Sequence, residues 1–339
     1  MVTEVYDRIQ EGLQEKQQEI LEFLETAPET EKEVCLGSDK HCIEKHLHVI
    51  ETSLEKIEEQ TLGVCVVCNG YVEASLLEMD YTAAVCLDHY SEEERRRLEA
   101  ELELSQVVQR ALLPQQLPSI RGVEVAAFSR PSEIISGDYF DFFRFRDGGH
   151  GIVIADVSGH GVSAAMLMSS LQTAIRTMAP EADSPAEILQ RINRFYIHNV
   201  HFTTFVTVFL ARFDPATRTL AYVNAGHNPP ALRRRANSAI LWLKPTAPAI
   251  GLAEDFSPRM ETIGFSEGDS LLLYTDGVTE VLDGSNQQFG QERLAALVQE
   301  HADRPAQDLL QAIRRAVSIY GENRRLADDV TMVALKISG

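Results

Sequence analysis

Gly151-Ile-Val-Ile-Ala155-Asp156-Val157-Ser158-Gly159-His160-Gly161 is the stretch that decides how this chain reads. Gly151 to Ala155 is a short apolar, β-branched run, the pattern of a strand, and it ends on a carboxylate. Glycines 159 and 161 let the backbone approach closely there, and a helical period follows over 161–178. One aspartate at a strand end is ordinary turn or cap chemistry. Here the arrangement recurs. Asp138 lies in Ser136-Gly137-Asp138-Tyr139, Asp276 ends Leu271-Leu-Leu-Tyr-Thr275 and precedes Gly277, and Asp328 with Asp329 opens Val330-Thr-Met-Val-Ala-Leu335. Gathered at one end of a sheet, these acids would form a hard, oxygen-only site suited to Mg²⁺ or Mn²⁺ and not to zinc.

Working outward, Val123 to Phe128, Phe205 to Phe213, Leu220 to Val223, Ser270 to Tyr274 and Val330 to Ile337 also read as strands. Helical patterns fall at 161–178, 185–199, 290–300 and 305–320. Strands dominate and the long helices come in pairs after strand runs, which is α+β layering and not strict βαβ alternation.

The chain has 339 residues with 31 Lys plus Arg against 51 Asp plus Glu, a formal charge of −20. Such a surface repels nucleic acid and anionic membranes, so no direct nucleic-acid partner is expected. Residues 1–110 carry 26 acids and 10 bases, a net of −16, and the other 229 carry 25 and 21, a net of −4. Two regions of different character are implied, with a boundary near residue 110. No apolar run approaches a membrane span and the N-terminus lacks a secretory pattern, so a cytoplasmic protein is expected.

All five cysteines lie in the first 90 residues. An odd number without an export signal points to metal or redox chemistry, not to disulfides. Tyr6, Ile9, Leu13, Ile20 and Leu24 share one helical face over 4–24. Ile43, Leu47, Ile50, Leu54 and Ile57 follow a heptad seam, so the two segments read as an antiparallel helical hairpin. Cys65-Val-Val-Cys68 and Cys86-Leu-Asp-His89, separated by a seventeen-residue spacer, have the spacing of a closed tetrahedral site holding one structural Zn²⁺. Cys35 and Cys42 have no matching pair and read as hairpin residues. A third helix spans 91–113: Ser91 and Glu94 form a capping box, Leu98, Leu102, Leu104, Val107, Val108 and Leu112 are placed along one side, and Pro114 stops it. That stripe suits pairing with its copy in a homodimer, or packing on the next domain. The expected organisation is 1–90 hairpin plus finger, 91–113 linker helix and 114–339 strand-rich domain bearing the aspartates.

Two family resemblances follow from these residues. The hairpin with Leu62-Gly63-Val64-Cys65-Val-Val-Cys68 and Ala83-Ala84-Val85-Cys86 resembles the DksA/TraR-type zinc finger over residues 1–90, with His89 where the fourth cysteine usually sits. Members of that family engage RNA polymerase through the hairpin tip, but Ser38-Asp39-Lys40 at the tip here does not reproduce their acidic motif, which weighs against that partner. The set Leu113-Pro114, Ser136-Gly137-Asp138-Tyr139, Ala155 to Gly161, Asn224-Ala225-Gly226-His227, Tyr274-Thr275-Asp276-Gly277-Val278 and Asp328-Asp329-Val330-Thr331 resembles the SpoIIE/RsbU branch of the metal-dependent Ser/Thr phosphatases, the PPM family, over 112–338.

That second resemblance implies a four-layer αββα sandwich with two Mn²⁺ or Mg²⁺ ions at one end of the sheets. Asp138 and Asp156 would be ligands, Asp156 bridging both ions, with the Val157 carbonyl and Asp276 beside them. Asp328 is the expected ligand of the last motif, Asp329 the near alternative. His160 is a candidate for the surrounding shell or for proton transfer to the leaving group, and His227 reads as a loop-fixing residue. The implied substrate is a phosphorylated anti-sigma-factor antagonist, a STAS-domain protein, hydrolysed without a phosphoenzyme. In keeping with that, no cysteine has an arginine six positions on, as a thiol phosphatase needs. The competing function is a transcription-associated interaction protein that binds polymerase through the finger hairpin.

Overall fold

The computed structural model describes residues 9–10, 13–14, 17, 40–73, 76–77, 82–89, 91–132, 134–158, 161–199, 205–322, 326 and 328–338. The chain divides into two compact units, Met1–Glu101 and Leu102–Gly339. In the first, α1 (Lys40–Glu58) occupies the predicted second hairpin helix. Positions 9, 10, 13, 14 and 17 are helical, and the rest of the predicted first helix, with Cys35 and Ser38-Asp39 of the hairpin tip, lies outside the described residues. Helix α2 (Glu92–Leu112) matches the expected third helix and runs from the first unit into the second.

The second unit contains two five-stranded sheets whose strand pairings are all antiparallel. One has the order β1 (Val123–Arg130), β10 (Val330–Ile337), β9 (Ser270–Tyr274), β6 (Ala231–Arg233), β7 (Ile240–Trp242). The other runs β2 (Tyr139–Arg144), β3 (His150–Val157), β4 (Val206–Asp214), β5 (Thr219–Ala225), β8 (Glu261–Gly264). Four helices complete it: α3 (Gly161–Met178), α4 (Pro185–Asn199), α5 (Gly290–Glu300) and α6 (Ala306–Tyr320).

Period-two alternation sorts each strand between two cores. Ile152 and Ile154 of β3, Phe209 and Phe213 of β4 and Val333 and Leu335 of β10 pack together between the sheets. The opposite faces pack outward: Val153, Ala155, Val208 and Leu210 against Leu171 and Ile175 of α3 and Ile188 of α4, and Met332, Ala334 and Leu272 against Leu294 of α5 and Ile313 of α6. Strands buried on both faces explain the unbroken apolar runs in the sequence. The resulting order is helices, sheet, sheet, helices, the α+β sandwich expected.

The anchoring of α2 differs from its sequence reading. Gln109 is buried and Leu102, Gln106 and Leu112 are half-buried, whereas Leu104, Val107 and Val108 are exposed. On a helix, 102, 106 and 109 lie roughly opposite 104, 107 and 108, so the six predicted apolar residues do not form one stripe. Leu98 has no described side chain. The face held by the second unit is largely amide: Gln106 Nε2 donates to the Ile134 carbonyl at 2.6 Å, and Gln172 Nε2 of α3 donates to the Leu112 carbonyl at 2.7 Å.

Candidate active site

Register brings the acids together. Tyr139 pairs with Ala155, which sets Asp138 beside Asp156 where β2 begins and β3 ends. Met332 pairs with Tyr274, which brings the end of β9, with Asp276, to the start of β10, with Asp328 and Asp329. A short helical turn, Asp276–Val278, follows β9. A Cβ at Gly277 would overlap the carbonyl oxygen of Asp329, so the backbones of the two motifs touch and only glycine fits between them.

One hydroxyl ties the two sheets at this end. Thr275 Oγ1 donates to Asp138 Oδ2 at 2.8 Å and accepts the Thr331 N–H at 3.0 Å. Asp138 is 2% exposed, and burial, then the charges of Asp156 and Asp329, push its carboxyl well above the ordinary range. Burial, followed by Asp276, Asp328, Asp329 and Glu280, pushes Asp156 up to about 8. Asp276 is raised by burial and by Glu280. Among the described residues none of these three carboxylates forms an ion pair with Lys or Arg. Converging buried carboxylates with no compensating cation fit divalent metal ions.

Asp328 and Asp329 are placed differently. Asp329 is 8% exposed and accepts four hydrogen bonds. Oδ1 takes Ser132 N–H at 2.7 Å and Ser132 Oγ at 3.0 Å, and Oδ2 takes Ser136 Oγ at 2.6 Å and Gly137 N–H at 2.8 Å. Asp328 is exposed, and its Oδ1 accepts the Asp329 N–H at 2.7 Å. Val157 closes β3, and Val206 opposite it donates its N–H to the Ile250 carbonyl at 3.0 Å. Gly159 and His160 lie outside the described residues.

Several residues that build the site were given no role of their own in the sequence reading: Ser136, Thr275 and Thr331 lay inside the quoted motifs, Ser132 and Gln109 outside them. Ser132, Ser136, Thr275 and Thr331 supply hydroxyl or backbone partners, and Gln109 reaches Ser136 from α2. His227 is buried: its backbone N–H donates to Asn224 Oδ1 at 2.8 Å and its ring Nδ1 is 2.8 Å from Thr207 Oγ1, opposite Asp156 in the β3–β4 ladder. Burial lowers its pKa to about 3. It is a neutral, loop-fixing histidine, as its motif suggested.

A profile of the family described as Stage II sporulation protein E (SpoIIE) matches residues 146–338. The chain belongs to the SpoIIE family. Among relatives, it is 27% identical over 242 residues to "Phosphoserine phosphatase RsbU" of Bacillus subtilis, covering 71% of each chain. It is 28% identical over 242 residues to "Phosphoserine phosphatase RsbP" of the same organism, covering 70% of this chain and 58% of that one. The SiaA-PP2C domain of Pseudomonas aeruginosa superposes with a TM-score of 0.64 at 24% identity, covering 72% of this chain and 98% of that domain. The fold of this SpoIIE-family chain is therefore PP2C-like, and its relatives support a protein phosphatase activity. No helix among the described residues is long and apolar enough to cross a membrane.

The first unit holds a separate cluster. Cys65, Cys68, Cys86 and His89 place one ligand atom each within 4.8 Å of one another. The first knuckle is a tight turn: Cys65 N–H donates to the Gly70 carbonyl at 2.7 Å, Asn69 N–H to the Cys65 carbonyl at 2.8 Å, and Asn69 takes a φ of 55°. His89 ends a single helical turn, Leu87–His89, that follows Cys86. Backbone N–H groups point at sulfur, Gly70 to Cys68 at 3.3 Å and Cys86 to Cys65 at 3.4 Å. Against the cost of burial, N–H groups of Cys86, Cys68 and Val67 bring the Cys65 thiol down to about 6, while burial and its sulfur neighbours push Cys86 up to about 11. Val72 and Leu77 pack against the two buried sulfurs. Three sulfurs and one imidazole in this arrangement fit tetrahedral zinc.

Proposed function

We propose that this chain is a divalent-metal-dependent protein phosphatase that hydrolyses phosphoserine or phosphothreonine on a signalling partner. The observation that carries the reading is the convergence of Asp138, Asp156 and Asp276 with the Asp328–Asp329 pair at one end of the paired sheets, with burial and mutual repulsion raising three of the carboxyls. Asp138, Asp156, Asp276 and Asp328 are assigned as the ligands of two Mn²⁺ or Mg²⁺ ions, with the Val157 carbonyl as a further oxygen. Asp329, with four protein donors on its carboxylate, positions the Ser132–Asp138 segment. Bound there, the pair of cations would supply an activated water for in-line attack and neutralise the phosphoryl oxygens. Thr275 holds Asp138 through one carboxylate oxygen, Oδ2. His160, two positions after Ser158 in the sequence, is assigned by its motif to the surroundings of the site.

The substrate class suggested by the resemblance is a phosphorylated STAS-domain anti-sigma-factor antagonist, consistent with relatives named as phosphoserine phosphatases. Cys65, Cys68, Cys86 and His89 are assigned to one structural Zn²⁺ in a regulatory N-terminal region. The exposed Leu104, Val107 and Val108 of α2 supply an apolar stripe for pairing with a second copy. The deciding experiment is hydrolysis of p-nitrophenyl phosphate with and without Mn²⁺ by the full chain and by Asp276→Asn. Manganese-dependent turnover lost in the variant supports the reading; turnover that is unchanged by the substitution, or independent of metal, overturns it.

A further inference from the structure

A groove of about 1070 Å³ is lined by α6, the end of α5 and Phe128 and Arg130 of β1, and by none of the carboxylates of the proposed site. Its lining includes Arg130, Arg304, Arg314, Arg315 and His301, against two acids, Glu300 and Asp308. In a chain with a formal charge of −20, this is a local excess of the opposite sign. Among the described residues none of the four arginines forms an ion pair. Arg314 instead lies over the Phe128 ring, 5.2 Å from its centroid, and Ile319 in the same groove is 61% exposed.

Two further features bear on what fits there. Among the described residues β1 is the edge of its sheet and pairs only with β10, so its other edge offers backbone donors and acceptors to an extended segment. At the Arg130 end the groove adjoins a smaller cavity of about 200 Å³, lined by Phe128, Arg130, Arg314, Leu282, Leu326 and Val330. Val330 opens β10 directly after Asp329, so the smaller cavity touches the end of β10 from which the last acidic motif extends.

We infer that this groove docks an acidic, extended segment of the phosphoprotein substrate, laid along the free edge of β1 with its phosphorylated residue reaching the carboxylate end. The inference rests on the phosphatase reading and names the recognition that reading leaves open. A phosphoprotein approaching so acidic an enzyme meets net repulsion, and an unpaired basic track is where attraction and steering can act. A nucleic acid is the poorer occupant, since a long polyanion would also cross the acidic remainder of the surface.

The test uses two phosphoserine peptides with one common core, one extended by a Glu/Leu tail and the other by a Gln/Leu tail, on the full chain with Mn²⁺ and on R314E/R315E. The Glu tail is expected to lower KM by about tenfold with kcat unchanged. That advantage should vanish in the variant and in about 0.5 M salt. p-Nitrophenyl phosphate, which has no tail, reports chemistry and folding in both proteins. A Glu-tail advantage that survives the substitutions, or its absence in the parent, overturns the inference. If the parent hydrolyses no phosphate ester, the phosphatase reading fails by itself; anisotropy of the fluorescein-labelled Glu-tail peptide then decides the groove, with binding lost in the variant supporting it and no binding overturning it. A self-association in sedimentation that R314E/R315E abolishes would assign the groove to a second copy and overturn substrate docking.

Discussion

Gln109 grips the backbone of Ser136 with both ends of its amide, Nε2 donating to the carbonyl at 2.6 Å and Oε1 accepting the N–H at 2.9 Å. Ser136 in turn donates its hydroxyl to Asp329 and lies two residues before Asp138. A helix-borne amide thus fixes the loop that presents a proposed ligand. Gln109→Leu keeps the helix but leaves Ser136 N–H and C=O buried and unpaired, at a cost of about 1–3 kcal/mol. Weaker metal binding by about tenfold or more is expected, as for the loss of other outer partners of metal ligands, read by Mn²⁺ titration of activity.

The two final acids should part company under substitution. Asp328→Asn is expected to remove metal-dependent turnover while the melting temperature of the metal-free protein stays near the parent's, because the residue is exposed. Asp329→Asn turns one acceptor oxygen into a donor facing Ser132 or Ser136 and Gly137, and should destabilise the metal-free protein by about 2–4 kcal/mol. Calorimetry beside an activity assay separates them; equal melting points would refute the assignment.

Metal binding should depend on pH in a defined direction. Asp156 keeps its proton up to about 8 in the metal-free fold, above the ordinary ~3.9 of the unfolded chain. A raised carboxyl favours the fold at low pH and loses that contribution as pH climbs toward 8. Mn²⁺ must displace the proton, so affinity should rise between about pH 6 and 8 with net proton release. Titration calorimetry in two buffers of different ionisation enthalpy measures that release.

His227 gives the opposite slope. Its folded pKa of about 3 lies below the unfolded value near 6.5, so its contribution is complete above about 6.5 and is lost as pH falls toward 3. Within that window the parent should lose up to about 1.4 kcal/mol per pH unit more than His227→Gln. Urea melts of both proteins at several pH values give the difference.

The cysteine cluster predicts one zinc per chain, released by thiol modification and scored with a chromogenic chelator. Cys86→Ser should weaken zinc retention, and loosen the packing of Val72 and Leu77 against the sulfurs. Acid should release the ion, since protons compete for the thiolates.

Much of the fold was legible because its central strands are buried on both faces. β9 and β10 have the predicted limits, and α3, α4 and α5 match theirs, since long apolar runs and helical periods survive without tertiary help. β2 was missed: its Tyr-Phe-Asp-Phe-Phe-Arg places a carboxylate in a strand interior. Asp141 is tolerated there because Arg176 of α3 binds both its oxygens at 2.6 Å, with Tyr139 and Phe142 adding donors. The short β6, β7 and β8 exist through their neighbours' ladders and have little pattern of their own. At the site, aspartates beside glycine stood out, whereas Gln109, Ser132, Ser136, Thr275 and Thr331 are common residue types whose roles depend on who faces them. The stripe assigned to α2 failed by phase: Leu102 and Leu112 belong to the held side, and Leu104, Val107 and Val108 to the open one.

The amide clamp from α2 bears on where the enzyme can be cut. A fragment beginning at Pro114 would contain every proposed Mn²⁺ or Mg²⁺ ligand and both sheets, yet it would lack Gln109, Gln106 and the Leu112 carbonyl that α3 holds. Silence from such a fragment would report a missing wall of the active site, not a missing activating signal. A fragment starting at Leu102, where the second unit begins, keeps that wall, so its activity speaks to regulation.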